Sequence, residues 1–162
     1  MNEAQARAWI DQYADLILRI SYHYLHTTFD AEDICQTVFL RYLAQEKPFR
    51  DSEHEKAWII RTTINACKDI LRSSWRRTSV PLTEAESVEA PEPETDELRQ
   101  ALGRLPTNCR LSIYLHYYEG YTAKEIGKFL HKSENAVRLY LTRGRAQLRK
   151  ILSQRECKGA MQ

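Results

Sequence analysis

No C-x-x-C pair occurs in this chain of 162 residues. Cys35, Cys67, Cys109 and Cys157 are widely scattered, which gives no zinc knuckle and no disulfide framework and leaves buried thiols as the default. No apolar run approaches the roughly 18 residues that a bilayer span requires, so no membrane insertion is expected. The N-terminus also lacks the basic, apolar and small-residue succession of a signal peptide, and the expected location is cytoplasmic. Strand-like alternation is missing throughout, which points to an all-α fold. Catalytic chemistry has little to work with: there is no nucleophile and base at useful spacing, no glycine-rich phosphate loop and no convincing metal set. No enzymatic activity, cofactor or metal is therefore expected. His23 and His26 lie three apart with Cys35 a little beyond, but no fourth ligand stands at a usual spacing, and such histidines on a helix are structural.

What is present is enough apolar material for one domain or two small ones, with 43% hydrophobic and 28% charged residues. The net charge of +2 conceals a strong asymmetry. Met1 to Arg77 is balanced, Thr78 to Glu97 carries seven acids and no base, and Leu98 to Gln162 has 13 bases against 4 acids, net +9. Asymmetry of this size concerns partners, and nucleic acid is the commonest partner of a compact basic domain. The acidic stretch contains three prolines and reads as a flexible, extended linker, which divides the chain into 1–77, a tether at 78–97, and 98–162.

The most informative stretch is YTAKEIGKFLHKSENAVRLYLTRGRAQL, Tyr121 to Leu148. Thr122 followed three residues later by Glu125 makes a capping box for a short helix with Ala123, Ile126, Phe129 and Leu130 as its apolar positions. His131 and Lys132 form a turn. Ser133 then caps a second helix, in which Val137, Leu141, Gly144, Leu148 and Ile151 share one stripe. Opposite that stripe lie Asn135, Arg138, Leu139, Thr142, Arg143 and Arg149, with Arg145 at the edge. A basic face of this kind on the second helix of a helix-turn-helix suits the DNA major groove, against the plainer alternative of a solvated charged face.

Toward the N-terminus, Ala6, Trp9, Ile10, Tyr13, Ile17, Ile20 and Tyr24 predict a helix over about Glu3 to Leu25. Asp30 is expected to cap a second helix running to about Ala44, with Ala31, Ile34, Val38 and Tyr42 on its buried side. Its other side holds Asp33, Gln36, Thr37 and Leu40, a mixture suited equally to docking on another protein's helix and to solvent. Lys47 to Glu55 reads as a loop broken by Pro48, followed by a long helix from about Lys56 to Arg77. Ile60, Ile64, Cys67, Ile70 and Leu71 form its buried face. Trp58, Arg61, Thr62, Asn65, Asp69, Arg72 and Arg76 share the other, where an aromatic, an amide and arginines suit unstacked bases and phosphates. The competing reading packs Trp58 against a neighbouring element. Beyond the linker, Leu98, Leu102 and Leu105 mark a short helix stopped by Pro106, and Cys109 to Tyr118 a helix ending at Gly120.

Three segments together resemble one family, the extracytoplasmic-function class of bacterial RNA polymerase sigma factors. DAEDICQTVFLRYLA is similar to its polymerase-binding helix, FRDSEHEKAWIIRTTINACKDILR to its promoter-melting helix, and LPTNCRLSIYLHYYEGYTAKEIGKFLHKSENAVRLYLTRGRAQLRK to its C-terminal helix-turn-helix domain. The resemblance implies that Asp33 and Gln36 touch the clamp helices of the polymerase's largest subunit. It implies that Asn65 helps hold a flipped base of the element about ten base pairs upstream of the start site, in a pocket shaped by the Phe49 to Glu55 loop. Arg138, Leu139, Thr142, Arg143 and Arg145 would face the element about thirty-five base pairs upstream. It further implies control by an anti-sigma factor. Three positions depart from the family pattern: Thr37 where Glu is usual, Asp69 where a neutral or basic polar residue is common, and Ala136 where Thr or Ser usually precedes Val137. An ordinary helix-turn-helix repressor or activator is the competing reading from another class, and it leaves the Trp58 and Asn65 face unexplained.

Overall fold

The computed structural model describes residues 1–25, 27–77 and 96–160, without the side chains of 28, 74–77, 96, 99 and 155–160. The expected linker thus lies outside the described residues apart from Asp96 and Glu97, which already belong to a helix. All regular structure among the described residues is helical: α1 (Glu3–Leu25), α2 (Thr28–Leu43), α3 (Ser52–Arg77), α4 (Asp96–Gly103), α5 (Thr107–Ile113), a π-helical turn (Tyr114–Tyr118), α6 (Ala123–Leu130) and α7 (Glu134–Ala160). The chain divides into two compact units, Met1–Pro91 and Glu92–Gln162.

In the N-terminal unit α1, α2 and α3 pack pairwise against one another. Trp9, Tyr13, Leu16, Ile17, Ile20 and Tyr24 of α1 meet Ala31, Ile34 and Val38 of α2 and Ile59, Ile60, Ile64 and Cys67 of α3, all buried. Each fully buried isoleucine stabilises the fold by about 1.5–3 kcal/mol, so this seam carries the unit. Ile10, expected on the stripe, is instead 46% exposed. It lies in nearly the same phase as the fully buried Ile17 seven residues on, so helical phase alone does not bury it.

Two helix starts differ from expectation. Thr27, and not Asp30, caps α2: its hydroxyl accepts the Asp30 N–H and donates to the Asp30 carboxylate at 2.6 Å. The Thr27 hydroxyl thus caps the helix and is itself held by the Asp30 carboxylate, which starts the first turn three residues earlier, at Thr28. Helix α3 begins about a turn before the expected Lys56, because the Asp51 carboxylate accepts the His54 N–H at 2.7 Å and the acids Glu53 and Glu55 sit favourably in the first turn.

The C-terminal unit is organised on α7, against which α4, α5 and α6 all pack. Gly144 makes the closest approach possible: a Cβ there would lie 2.5 Å from Ile113 Cδ1. Arg110 is buried at 4% exposure, and its guanidinium donates to the Gly103 carbonyl and the Thr107 hydroxyl, both at 3.2 Å. It thereby satisfies the open C-terminal end of α4 while tethering the start of α5. The expected single helix over Cys109 to Tyr118 begins earlier, at Thr107, and widens into the π turn, where the Glu119 N–H reaches back five residues to the Tyr114 carbonyl. Gly120, at φ 76°, then reverses the chain, and the Tyr121 N–H closes on the Leu115 carbonyl at 3.0 Å.

Candidate nucleic-acid interface

The helix-turn-helix forms as its sequence predicts. Thr122 and Glu125 make both bonds of the capping box at the start of α6. The turn depends on Gly127, where a Cβ would fall 2.5 Å from the Lys132 carbonyl oxygen. His131 takes the left-handed conformation at φ 56°, and the Lys132 N–H closes on the Gly127 carbonyl at 2.9 Å. The Ser133 hydroxyl accepts the Ala136 N–H at 3.1 Å and so starts α7. Val137, Leu141 and Gly144 turn inward, and Leu148 and Ile151 are half-buried.

On the outer side of α7, Asn135, Arg138, Leu139, Thr142, Arg143, Arg145 and Arg149 are all exposed. Leu139 keeps 45% of its surface open, an unusual place for a leucine in a face otherwise polar. Arg138 pairs with Glu134 one turn earlier at 2.8 Å, and the Thr142 hydroxyl donates to the Arg138 carbonyl at 2.9 Å. The ion pair is exposed on both sides, so it orients the guanidinium at little energetic cost to release. Arg145 donates to the Tyr117 hydroxyl at 2.8 Å. Arg143 lies near enough to Cys109 for its charge to favour the thiolate, though burial outweighs it and the thiol is pushed up. Beside this face His116 Nδ1 lies 2.8 Å from the Tyr121 carbonyl; a carbonyl can only accept, so Nδ1 carries the proton.

On α3, Trp58, Thr62 and Asn65 are half-buried, whereas Arg61, Asp69 and Arg72 are exposed. Their spacing of three and four residues sets Trp58, Thr62, Asn65, Asp69 and Arg72 on one stripe. The Arg76 side chain lies outside the described residues, as does His26. Asp69 and Arg72 approach to 4.0 Å in the open, a contact worth little. Trp58 does pack on neighbours, with its ring 5.6 Å from Phe49 and 6.2 Å from Tyr42. Phe49 in turn stacks on Tyr42 at 5.9 Å with 12° between planes. Phe49 and Trp58 thus come together at the start of α3, and the packing reading of Trp58 and its place on the polar face hold at once.

On α2, Asp33, Gln36 and Leu40 are exposed and Thr37 is half-buried, its hydroxyl donating to the Asp33 carbonyl at 3.0 Å. Leu40 is 64% exposed, and Phe29 and Leu43 at either end of the same stripe are open too. The stripe thus alternates open apolar side chains, Phe29, Leu40 and Leu43, with the polar Asp33 and Gln36.

The sequence marks Tyr13 and Tyr42 only as core positions and Glu55 only as part of the loop, and it does not show the bonds that join them; nor does it single out Tyr117 or Arg110. Glu55 belongs to the first turn of α3, and the sequence signal for that turn is Asp51 followed by Glu53 and Glu55. Tyr117 had a signal in the adjacent aromatic pair Tyr117 and Tyr118, both about half exposed. Among the described residues, no group of three His, Cys, Asp or Glu is placed to hold a metal ion, and no helix is long and apolar enough to cross a membrane.

Two family models match the two units: Sigma-70 region 2 over residues 9–77 and Sigma-70, region 4 over residues 95–148. The chain is 30% identical to the ECF RNA polymerase sigma factor SigE of Mycolicibacterium smegmatis, covering 94% of this chain and 64% of that protein. It is 27% identical to the ECF RNA polymerase sigma factor SigW of Bacillus subtilis, over 88% of this chain and 86% of the relative. It therefore spans somewhat under two thirds of the length of SigE and most of SigW. Its fold is like that of the sigma factor RpoE from Bartonella quintana, solved in complex with the anti-sigma factor NepR: TM-score 0.71 at 15% identity, covering 92% of this chain and 97% of that one. With a region 2 unit and a region 4 unit in this order, the chain belongs to the ECF class of the sigma-70 family of RNA polymerase sigma factors, which are non-enzymatic transcription initiation factors.

Proposed function

We propose that this chain binds RNA polymerase core and directs promoter-specific initiation, reading the −35 element with α7 and capturing unpaired −10 bases with the α3 face. The observation that carries the reading is the α7 face: Asn135, Arg138, Leu139, Thr142, Arg143, Arg145 and Arg149 all stand open on the second helix of a helix-turn-helix whose other side is buried. Arginines there suit guanine edges and phosphates, and Leu139 suits a thymine methyl. Residues 98–162 would form this reading unit, joined by the acidic tether at 78–97 to a core-binding and melting unit at 1–77.

In the N-terminal unit Asn65 presents an amide for the edge of a flipped base. Phe49 and Trp58 come together at the start of the same helix to offer an aromatic surface, and Arg61, Thr62, Asp69 and Arg72 line the path of the strand. Asp33, Gln36, Thr37 and Leu40 dock on the clamp helices of the polymerase's largest subunit. The solved RpoE–NepR complex supports an anti-sigma factor as a further partner, and the place of action is the cytoplasm.

Run-off transcription with purified polymerase core, this chain and a genomic fragment library tests the proposal. Discrete transcripts whose start sites share two upstream elements are the expected result. Absence of any transcript beyond those of core alone would overturn it.

A further inference from the structure

The Glu55 carboxylate joins all three helices of the N-terminal unit. It accepts the Tyr42 hydroxyl of α2 on Oε1 at 2.6 Å and the Tyr13 hydroxyl of α1 on Oε2 at 2.7 Å. Glu55 itself stands at the start of α3, where the helix dipole favours its negative charge. Tyr42 lies two residues before the start of the loop that separates α2 from α3, and Glu55 four residues past its end, so their bond closes the loop 44–51 at its base.

What the bond holds is an aromatic ring with several neighbours. Tyr42 stacks under Phe49, meets Trp58 edge-on, and tilts against Trp9 at 5.3 Å in the core. Phe49 makes ring contacts with Tyr42, Trp58 and His54, the last at 5.4 Å. The loop backbone adds one further fixed point, the Arg50 N–H donating to His54 Nδ1 at 3.2 Å. Packing confines the Tyr42 ring to one rotamer well, and the bond at its hydroxyl fixes its tilt within that well. Both tyrosine hydroxyls are pushed up, Tyr42 to about 12, by burial and by the carboxylate they face. They remain protonated donors at any physiological pH.

From this geometry we infer that Glu55 is a positioning residue: through the Tyr42 hydroxyl it fixes the ring on which Phe49 rests, and so sets the base preference of the loop over unpaired promoter DNA. The inference rests on the proposed role of the N-terminal unit in capturing bases. Glu55 touches no base itself. Its effect passes through Tyr42 to Phe49, while Tyr13 anchors the carboxylate to α1 and keeps it from following the loop.

The test uses holoenzyme, full chain plus polymerase core, selecting from fork-junction DNA with a randomised duplex upstream element and a randomised single-stranded segment. Sequencing the bound DNA reads the base preference in each part. Tyr42→Phe removes one hydroxyl and keeps the ring, Glu55→Ala removes both bonds, and Glu55→Gln keeps one acceptor. Preference in the single-stranded segment should flatten by about tenfold for Tyr42→Phe and Glu55→Ala, with partial rescue by Glu55→Gln, while the duplex preference stays as in wild type. Wild-type preference in the single-stranded segment for Tyr42→Phe, or an equal loss in both segments, would overturn the inference and make Glu55 a fold residue alone. Should Glu55→Ala fail to fold, Tyr42→Phe and Glu55→Gln still decide. If wild type itself shows a duplex preference and none in the single-stranded segment, the base-capturing role fails first and the inference with it.

Discussion

The side chains proposed to meet DNA are built into the two units in opposite ways. On α7 they are exposed and held, where held at all, by single bonds: Arg138 to Glu134, Thr142 to its own helix, Arg145 to Tyr117. In the N-terminal unit Phe49, Trp58 and Asn65 are half-buried, and the two rings belong to a network that runs from Trp9 in the core to the loop. A helix entering the major groove needs reach and a rigid axis, and its long side chains adjust to edges already displayed by stacked bases. An unpaired base has no fixed position, so its receptor must supply the geometry in advance and avoid the entropy cost of ordering both partners at once. Rigidity therefore lies in the helix axis in one unit and in the side chains themselves in the other.

The strongest way to break this contrast is to disturb the turn on which the axis of α7 depends. Gly127→Ala would ordinarily favour a helix by about 1 kcal/mol. Here the new Cβ meets a backbone carbonyl at 2.5 Å, which cannot swing aside as a side chain would. A net loss of about 3 kcal/mol is expected, seen as a lower melting temperature of the C-terminal unit with the N-terminal unit unaffected. The control is Gly144→Ala, whose clash is with the end of the Ile113 side chain and not with backbone, and should cost about 1 kcal/mol.

Next in size is Arg143→Ala, which leaves the turn intact and tests the face alone. Loss of about 1–3 kcal/mol of holoenzyme affinity is expected, confined to the cognate duplex if a base is contacted and shared by all sequences if a phosphate is. Equal affinity in both settings would remove Arg143 from the interface.

Asn65→Ala sharpens the other side of the comparison. Open-complex formation should fall by about tenfold while association with core is retained, and a pre-melted template should not restore it, because the base contact itself is lost. Permanganate footprints equal to wild type on duplex promoters would contradict the assignment.

The smallest effect is expected on α2, where the surface is neither locked nor strongly charged. Asp33→Arg and Gln36→Ala should weaken core binding by about 1 kcal/mol, the former more at low salt, with helicity unchanged since both side chains stand off the buried stripe. A pull-down showing core affinity equal to wild type would return this face to solvent.

How much of this was legible in the sequence follows the same division. The helix-turn-helix was readable because its determinants are local: Thr122 and Glu125 three apart, Ser133 before a polar turn, and a stripe through Val137, Leu141 and Gly144. The α3 face was readable by its helical spacing. The Glu55 network was not, since Tyr13 and Glu55 are 42 residues apart and nothing in either neighbourhood announces the bond. The π turn also escaped, because a widened turn keeps the same apolar residues in nearly the same order. Ile10 shows the limit of periodicity: its residue type and phase fit the stripe, and only the extent of the covering helices leaves it open.

The central claim is that the chain alone does not read a promoter specifically and that polymerase core supplies the missing geometry. A single helix-turn-helix buries little surface and gains specificity by joining a larger complex, and the +9 of residues 98–162 follows the seven acids of 78–97 in sequence. The measurement is a gel shift of the full chain on a promoter fragment recovered by run-off transcription, at several fixed salt concentrations, with and without core. The account predicts weak, steeply salt-dependent binding by the chain alone and sequence-specific binding once core fixes the spacing of the two units. Tight, sequence-specific binding by the chain alone, with no gain on adding core, would contradict it and favour a free-standing helix-turn-helix regulator.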